Sequence, residues 1–178
     1  MKKIAFLILC SIYSLTCLGQ QIALNDTVSI RLPDGAEKLN KDQISSFVNK
    51  KYSNNNIALR AKTTAYPEYV YKINEVLIMF NPKNDGTKVD NDFLLNRQRG
   101  FDEMMKKNKS HNSFLKNING NQILVEYYTI TNVGHYSVSC RDSTYSRSLG
   151  ISLQFDESDK GKATKIVDDL INNISFTK

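Results

Sequence analysis

The sequence predicts an α+β domain in which an antiparallel sheet is covered by helices. Its segments follow the order strand, helix, strands, helix, antiparallel strands, helix. Asn119-Gly120 joins two apolar segments and can supply the positive φ angles of a type I′ hairpin turn. The C-terminal segment has apolar residues at helical spacing, as expected of a helix that lies on a sheet.

The first half of the chain predicts two helices between strands. Residues 27–32 alternate apolar and polar side chains before the turn sequence Pro33-Asp34-Gly35, which indicates an amphipathic strand. Residues 41–52 have apolar residues at helical spacing behind Asn40, a suitable N-cap. Residues 57–62 and 69–80 are predicted strand material, the second with a continuous apolar run that indicates burial on both faces.

A second helix is predicted after the turn sequence Asp85-Gly86. Asp90 would cap it, and it would extend to about residue 107. Arg97 and Gln98 interrupt its apolar stripe, so we expect this face to be only partly buried.

The last third predicts strands and a final helix. Strands at 114–118 and 123–130 flank the Asn119-Gly120 turn, and a second hairpin would turn near residues 132–134 into a strand at 135–141. Residues 149–155 alternate as a strand with one polar face, and residues 163–174 carry the strongest helical pattern in the chain.

Composition and the N-terminus point to one exported domain. Of the 178 residues, 40% are hydrophobic and 24% are charged, which excludes a disordered, collagen-like or multi-span membrane chain. Residues 1–19 have the basic start, short apolar run and small residues of a secretory signal peptide, which leaves residues 20–178 as a single domain. Because Lys2 and Lys3 leave with the signal, the formal net charge falls from +6 to +4.

Two of the three cysteines lie within that signal, which limits the role of this residue type. Cys17 allows the alternative of a bacterial lipoprotein anchor, but Ser14, three residues before it, and Thr16, directly before it, depart from the usual lipidation pattern, so we favour soluble export to the periplasm or the medium. Cys140 then has no partner for an internal disulfide, and its register with the apolar side chains of a strand predicts a buried thiol.

The pattern as a whole resembles the PsbP-like α/β/α sandwich family. The opening strand with its proline at 28–35 (VSIRLPDG) and the closing strand at 149–155 (LGISLQF) carry the resemblance, together with a helix that ends in 170–176 (LINNISF). The resemblance covers about residue 25 to the end. It implies a binding or assembly module and transfers no functional residue; a cystatin-like or NTF-like fold is the alternative.

Metal, cofactor and nucleic-acid sites are not expected. His111, His135 and Cys140 are the only soft ligands outside the signal, and His135 and Cys140 are five apart on one strand, hence on opposite faces. The acidic group Asp85, Asp90 and Asp92 lacks the spacing of a calcium-binding loop. The basic group Lys106, Lys107 and Lys109 lies where a helix C-terminus favours lysine, and export separates the chain from most nucleic acid.

The candidate binding residues lie on the polar face of the last strands. His135, Ser137, Ser139 and Arg141 alternate along one strand, with Ser152 and Gln154 predicted to lie beside them. Such a row is either an ordinary solvated face, which we favour, or a polar platform for a ligand or a partner. Arg97 is a further candidate contact, unless its aliphatic stem simply extends to solvent.

These observations predict an exported, non-catalytic binding or assembly module in the bacterial envelope or outside the cell. Its partner would be a protein or a small ligand. Neither a nucleophile elbow nor a phosphate-binding loop is present in the sequence. The alternative is a small hydrolase that uses Glu126 or His135 as its base.

Overall fold

A computed structural model of the chain describes residues 19–51, 69–83 and 88–177. The predicted signal up to residue 18, with Cys17, lies outside these ranges, as do the predicted strand at 57–62 and the Asp85-Gly86 turn. The described residues form ten strands, three α-helices and one short 3-10 helix. In chain order the strands and α-helices are β1 (Gln21–Asn25), β2 (Val28–Arg31), β3 (Ala36–Lys38), α1 (Lys41–Lys51), β4 (Val70–Ile73), β5 (Val76–Lys83), α2 (Phe93–Met105), β6 (Asn112–Ile118), β7 (Asn121–Ile130), β8 (Val133–Arg141), β9 (Ser148–Asp156), α3 (Lys160–Asn172) and β10 (Ile174–Phe176).

The strands form two antiparallel sheets. The large sheet has seven strands in the order β3-β4-β5-β9-β8-β7-β6, and the small sheet has three in the order β1-β2-β10. All neighbouring strands in both sheets pair antiparallel. The predicted α+β class with a helix-covered antiparallel sheet is therefore confirmed.

One face of the large sheet packs against α3 and the small sheet. Ile78 of β5 and Phe155 of β9 share a core with Ile166 and Leu170 of α3 and with Ile30 of β2. The burial of apolar surface in this layer is the main force that holds the two sheets together.

The opposite face of the large sheet carries α1 and α2. Leu77 of β5 points away from Ile78 because side chains alternate along a strand, and it packs against Ile44 and Val48 of α1. α2 lies over β6 and β7. The described residues thus form an α/β/α sandwich, and on this face α1 and α2 pack on different parts of the sheet.

Several local predictions are confirmed by the backbone. Asn119 and Gly120 have φ angles of 53° and 79°, as a type I′ turn requires. Asn40 caps α1: its Oδ1 accepts the Gln43 N–H at 2.9 Å, and Gln43 Oε1 accepts the Asn40 N–H at 2.9 Å. This reciprocal pair is a capping box.

Other element boundaries differ from the prediction. The predicted strand at 69–80 is two strands, since Asn74 adopts φ 52° and reverses the chain between β4 and β5. The second hairpin turns at Thr131 and Asn132, both with positive φ, and not at 132–134. Ile174 belongs to β10 and not to the last helix, because it pairs with Ile30 of β2.

The start of α2 and the start of the small sheet also differ from the prediction. The second helix begins at Phe93, not directly after Asp90; the Asp90 side chain accepts the Asp92 N–H at 3.1 Å and its carbonyl accepts the Phe93 N–H at 3.0 Å. Strand β1 was not predicted. It pairs with β2, so the predicted strand at 27–32 is the middle strand of the small sheet.

Candidate functional site

Two cavities lie between α2 and the polar face of the large sheet, one toward each end of the helix. The first has a volume of about 520 Å³ and the second of about 330 Å³. Arg97, Ser137 and Ser152 line both. The face that the sequence marked as polar is therefore the floor of two clefts, with a helix over it.

The floor is ordered by the strand register. Glu126, Ser137, Ser152 and Met79 stand side by side across β7, β8, β9 and β5. Directly paired residues in a sheet point to the same face. The neighbouring rungs place Tyr128, His135 and Gln154 on one side of this row, and Leu124, Ser139, Gly150 and Asn81 on the other.

We call the larger cavity the α2 cleft. It lies beside the C-terminal half of α2. It is lined by Arg97, Phe101, Met104 and Met105 of the helix and by Met79, Glu126, Tyr128, Ile130, His135, Tyr136, Ser137, Ser152, Leu153 and Gln154 of the sheet.

A bidentate ion pair closes one side of the α2 cleft. Arg97 Nη2 donates to Glu126 Oε2 at 2.9 Å, and Arg97 Nε donates to Glu126 Oε1 at 3.3 Å. The residue Glu126 is 3% exposed, whereas the Arg97 side chain is 45% exposed. The carboxylate is desolvated and depends on the guanidinium for its hydrogen bonds, while the guanidinium keeps contact with water.

Aromatic rings form a second part of the wall. The Tyr128 and His135 rings stack with centroids 4.9 Å apart and planes 9° from parallel, and Phe101 lies 6.0 Å from Tyr128. Burial raises the pKa of Tyr128, and the Glu126 charge raises it further. The Tyr128 hydroxyl is therefore protonated at neutral pH and can offer a hydrogen bond, but not act as a base.

The mouth of the α2 cleft is apolar. The residues Met104 and Ile130, which both line it, are 72% and 55% exposed. Exposed side chains of this size are common singly, but two at the edge of one cavity form a patch that can be covered by a partner.

We call the smaller cavity the serine trough. It lies beside the N-terminal half of α2, where Phe93 and Leu94 face the sheet. Its polar lining consists of Asn81, Lys83, Arg97, Ser137, Ser139, Arg141, Ser148 and Ser152. No carboxylate lies among the lining residues that belong to the described ranges.

The candidate residues from the sequence are divided between these cavities. His135, Ser137 and Arg97 line the α2 cleft, and Ser137, Ser139, Arg141 and Arg97 line the serine trough. The row is half-buried under α2 and is not the solvated face that we favoured. Arg97 does not simply extend to solvent, because Glu126 holds its guanidinium.

Other lining residues were not identified from the sequence as site candidates. These residues are Met104 and Met105 of α2 and Ile130, Lys83 and Ser148 of the sheet. The place of Lys83 and Ser148 in the site cannot be seen in the sequence because it depends on strand register. Ser148 pairs with Arg141, and Lys83 pairs with Ser148.

A second polar cluster, between α2 and β6, has the residue types of a hydrolase triad but not their spatial arrangement. Ser113 Oγ donates to Asp102 Oδ1 at 2.7 Å, and His111 Nε2 lies 3.9 Å from the same oxygen. His111 Nδ1 lies 2.7 Å from the Asn108 carbonyl oxygen. A nucleophilic serine needs the histidine between itself and the acid, whereas here the acid lies between them.

Cys140 is a buried thiol, as predicted. It is fully buried in the core under α3. Burial raises its pKa to about 12, and the nearby Asp142 charge acts in the same direction. The reactive thiolate form is therefore scarce at neutral pH.

Two further properties of the described residues bear on metal binding and on membrane insertion. Within residues 19–51, 69–83 and 88–177, no group of three or more His, Cys, Asp or Glu side chains is placed to hold a metal ion. Among the described helices, none combines the length and the apolar character needed to cross a membrane.

Comparison with known proteins gives a structural likeness only. No family model matches the chain, and no curated protein matches it. Among solved structures, it is similar to the solution structure of PsbP (CyanoP) from the cyanobacterium Synechocystis sp. PCC 6803, with a TM-score of 0.48 and 9% identity. The match covers 91% of this chain and 94% of that chain. CyanoP is of the fold family that the sequence resembles.

Proposed function

We propose that this chain is an exported, non-catalytic binding module of the bacterial envelope or the extracellular medium, and that it binds its partner at the α2 cleft. One observation supports the α2 cleft as the binding site. Three large hydrophobic side chains are exposed within the described ranges, namely Phe93, Met104 and Ile130. All three border the cavities beside α2.

The surroundings of the α2 cleft suggest the chemistry of the partner. Lys107 and Lys109 follow the two methionines at the end of α2 and are exposed, and neither forms an ion pair within the described part of the chain. A partner that complements this edge presents apolar side chains flanked by acidic groups. We therefore propose a protein segment of this composition as the occupant.

The hydrolase alternative has less support at the same cleft. Both oxygens of Glu126 accept hydrogen bonds from Arg97, so this carboxylate is not positioned to take a proton from water. His135 stacks on Tyr128 at the wall of the cleft. The binding module is the better proposal because apolar exposure explains the mouth of the cleft, which a proton-transfer role would not.

Binding at the cleft can be tested with an amphiphilic probe. Anilinonaphthalene sulfonate combines an apolar ring system with a negative charge and fluoresces when it is desolvated. We expect the folded protein to bind it, and the variant Met104→Glu/Ile130→Glu to bind about tenfold or more weakly, since each buried side chain of this kind contributes roughly 1.5–3 kcal/mol. Near-UV circular dichroism shows whether each protein is folded.

A matched control is available on the same helix. Leu95 is half-buried and lies three and seven residues before Gln98 and Asp102, both of which bond to Ser113 of β6. It is thus on the flank of α2 away from the cleft. Leu95→Glu should leave probe binding unchanged. Equal losses in both variants, or no binding by the folded wild type, would contradict the proposal.

The export part has a separate test. We expect the protein recovered from the periplasm or medium to begin at Gln20, as read by N-terminal sequencing. A lipid-modified Cys17 would replace soluble export by a lipoprotein anchor, and an intact Met1 in the cytosol would exclude export.

A further inference from the structure

We infer that the serine trough is a binding site for a small oxyanion, a phosphate or carboxylate group carried by a compact ligand. This site is distinct from the apolar mouth of the α2 cleft, and the inference holds whether or not a protein partner binds there. Its basis is a buried cation, a row of hydroxyl groups and an open floor, each of which is described below.

The charge in the trough is positive. Lys83, Arg97 and Arg141 line it. Glu126 offsets the charge of Arg97 from the other side, at 2.9 Å. Lys83 and Arg141 are left without a carboxylate partner within the described ranges, so the trough has a net attraction for anions.

Arg141 is the most informative of the three cations. It is 9% exposed, and its guanidinium carbon lies 4.9 Å from the centroid of the Phe93 ring. One hydrogen bond, from Nη1 to the Tyr145 carbonyl oxygen at 3.3 Å, uses one of its five donors. Buried arginine side chains are usually paired with an acid. An oxyanion in the trough would supply that acid.

The acid nearest to Arg141 in the sequence does not fill this role. The side chain of Asp142 accepts hydrogen bonds from the Thr144 hydroxyl and from the N–H groups of Ser146 and Arg147. Asp142 lines a different cavity, beside Asn121 and Arg147. Its carboxylate is already satisfied by its own loop.

Four serine hydroxyls complete the donor set of the trough. Ser137, Ser139, Ser148 and Ser152 are half-buried and lie on the same face of β8 and β9. No side-chain hydrogen bond to any of the four occurs within the described residues. A half-buried row of hydroxyls beside a buried arginine can hold an oxyanion, since each hydroxyl can donate one hydrogen bond.

Gly150 keeps the floor of the trough open. It lies between Ser139 of β8 and Asn81 of β5 in the register of the sheet. A Cβ atom built at this position would meet Asn81 at 3.7 Å, an ordinary contact distance. A side chain is therefore tolerated by the backbone, yet it would occupy the space above the floor. The volume of about 330 Å³ is at the lower end of small-molecule sites.

The test uses inorganic phosphate and succinate as probes on the full-length mature chain. Binding is measured by calorimetry and by the shift in melting temperature, with sodium chloride added to keep the ionic strength constant. We expect saturable binding of one of the two probes, and the probe that binds identifies the ligand as phosphate-bearing or carboxylate-bearing.

Two variants address the trough without removing a buried charge. Gly150→Asp places a carboxylate beside Arg141, so we expect a folded protein that binds the probe at least tenfold more weakly. Ser139→Ala/Ser148→Ala removes two donors, and a loss of about tenfold or more is expected for hydrogen bonds to a charged group. Ser29→Ala, a half-buried strand serine of the small sheet, is the control and should bind as the wild type does.

Two results would overturn the inference. One is the absence of saturable binding of either probe at concentrations up to about 10 mM, beyond which affinity is too weak to be specific. The other is unchanged binding in folded Gly150→Asp, which would place the anion elsewhere. Neither result depends on Met104 or Ile130, so failure here is distinguishable from failure of binding at the α2 cleft.

Discussion

The ion pair between Arg97 and Glu126 predicts an unequal response to the loss of either partner. Arg97→Met keeps most of the aliphatic volume of the side chain and removes both hydrogen bonds to Glu126. Glu126→Gln keeps the shape of the carboxylate and removes its charge. The two residues differ in burial, and the size of each effect follows from that difference.

The burial of the remaining partner sets how much each substitution lowers the free energy of unfolding. Removing one partner of a fully buried pair costs about 3–5 kcal/mol, because the other charge is left desolvated. The Arg97 side chain is 45% exposed, so water screens the pair and can reach Glu126 once the arginine is gone. We therefore expect Arg97→Met to lower the free energy of unfolding by about 2 kcal/mol. Glu126→Gln should cost about 1 kcal/mol or less, because the guanidinium can turn to solvent.

Urea unfolding of the wild type, both single variants and the double variant measures these values. The denaturant dependence of the unfolding free energy should be the same for all four proteins, since the surface exposed on unfolding does not change. In the double variant, most of the Arg97→Met penalty should disappear because no unpaired charge remains. Equal costs for the two single variants, or strict additivity in the double variant, would refute this description of the pair.

Three further predictions concern the core and its loops. Leu170→Ala removes a fully buried side chain of α3 and should lower the free energy of unfolding by about 2–5 kcal/mol, measured by urea unfolding; a loss under about 1 kcal/mol would mean that α3 is not packed as described. Cys140 has a pKa raised to about 12, so it should react with a thiol reagent at neutral pH only at the rate of unfolding, and a rapid reaction of the native protein would contradict its burial. At Asp142, burial opposes ionisation, but hydrogen bonds from Thr144 and from two backbone N–H groups outweigh it and leave the pKa lowered. The stability that Asp142 contributes is therefore present above the pKa of the unfolded chain and is lost as the pH falls, so Asp142→Asn should be less stable than the wild type near neutral pH and similar to it at about pH 2. A difference that persists undiminished in acid would contradict the assignment.

Local sequence signals predicted the Asn119-Gly120 hairpin and the three helices well. Asn119-Gly120 is one of the few dipeptides that adopt two positive φ angles at low cost, so the turn between β6 and β7 follows from two residues. The apolar spacing of α3 is likewise a property of a single segment, and its predicted face is buried. The turn between β6 and β7 and the buried face of α3 therefore agree with the sequence pattern.

Signals that depend on distant residues were missed or left open. The sequence indicated Arg97 as a candidate contact and Glu126 as a candidate base, but it did not indicate that they pair. They are 29 residues apart, and no local pattern connects them. One local signal was missed as well: the turn at Asn74 lies within an apolar stretch, and asparagine can adopt the left-handed conformation without a glycine to mark it. The serine trough required the register of β5, β8 and β9 and the position of α2, all of which are set by tertiary packing.

Binding beside α2 is tested most directly by site-specific photo-crosslinking in the producing bacterium. A benzophenone side chain replaces Met104 at the mouth of the α2 cleft or, as the control, Leu95 on the other flank of the helix. We predict one discrete adduct from position 104 that is lost when Ile130→Glu is added, and no adduct from position 95. Equal adducts from both positions, or none from position 104, would contradict a partner site at the α2 cleft.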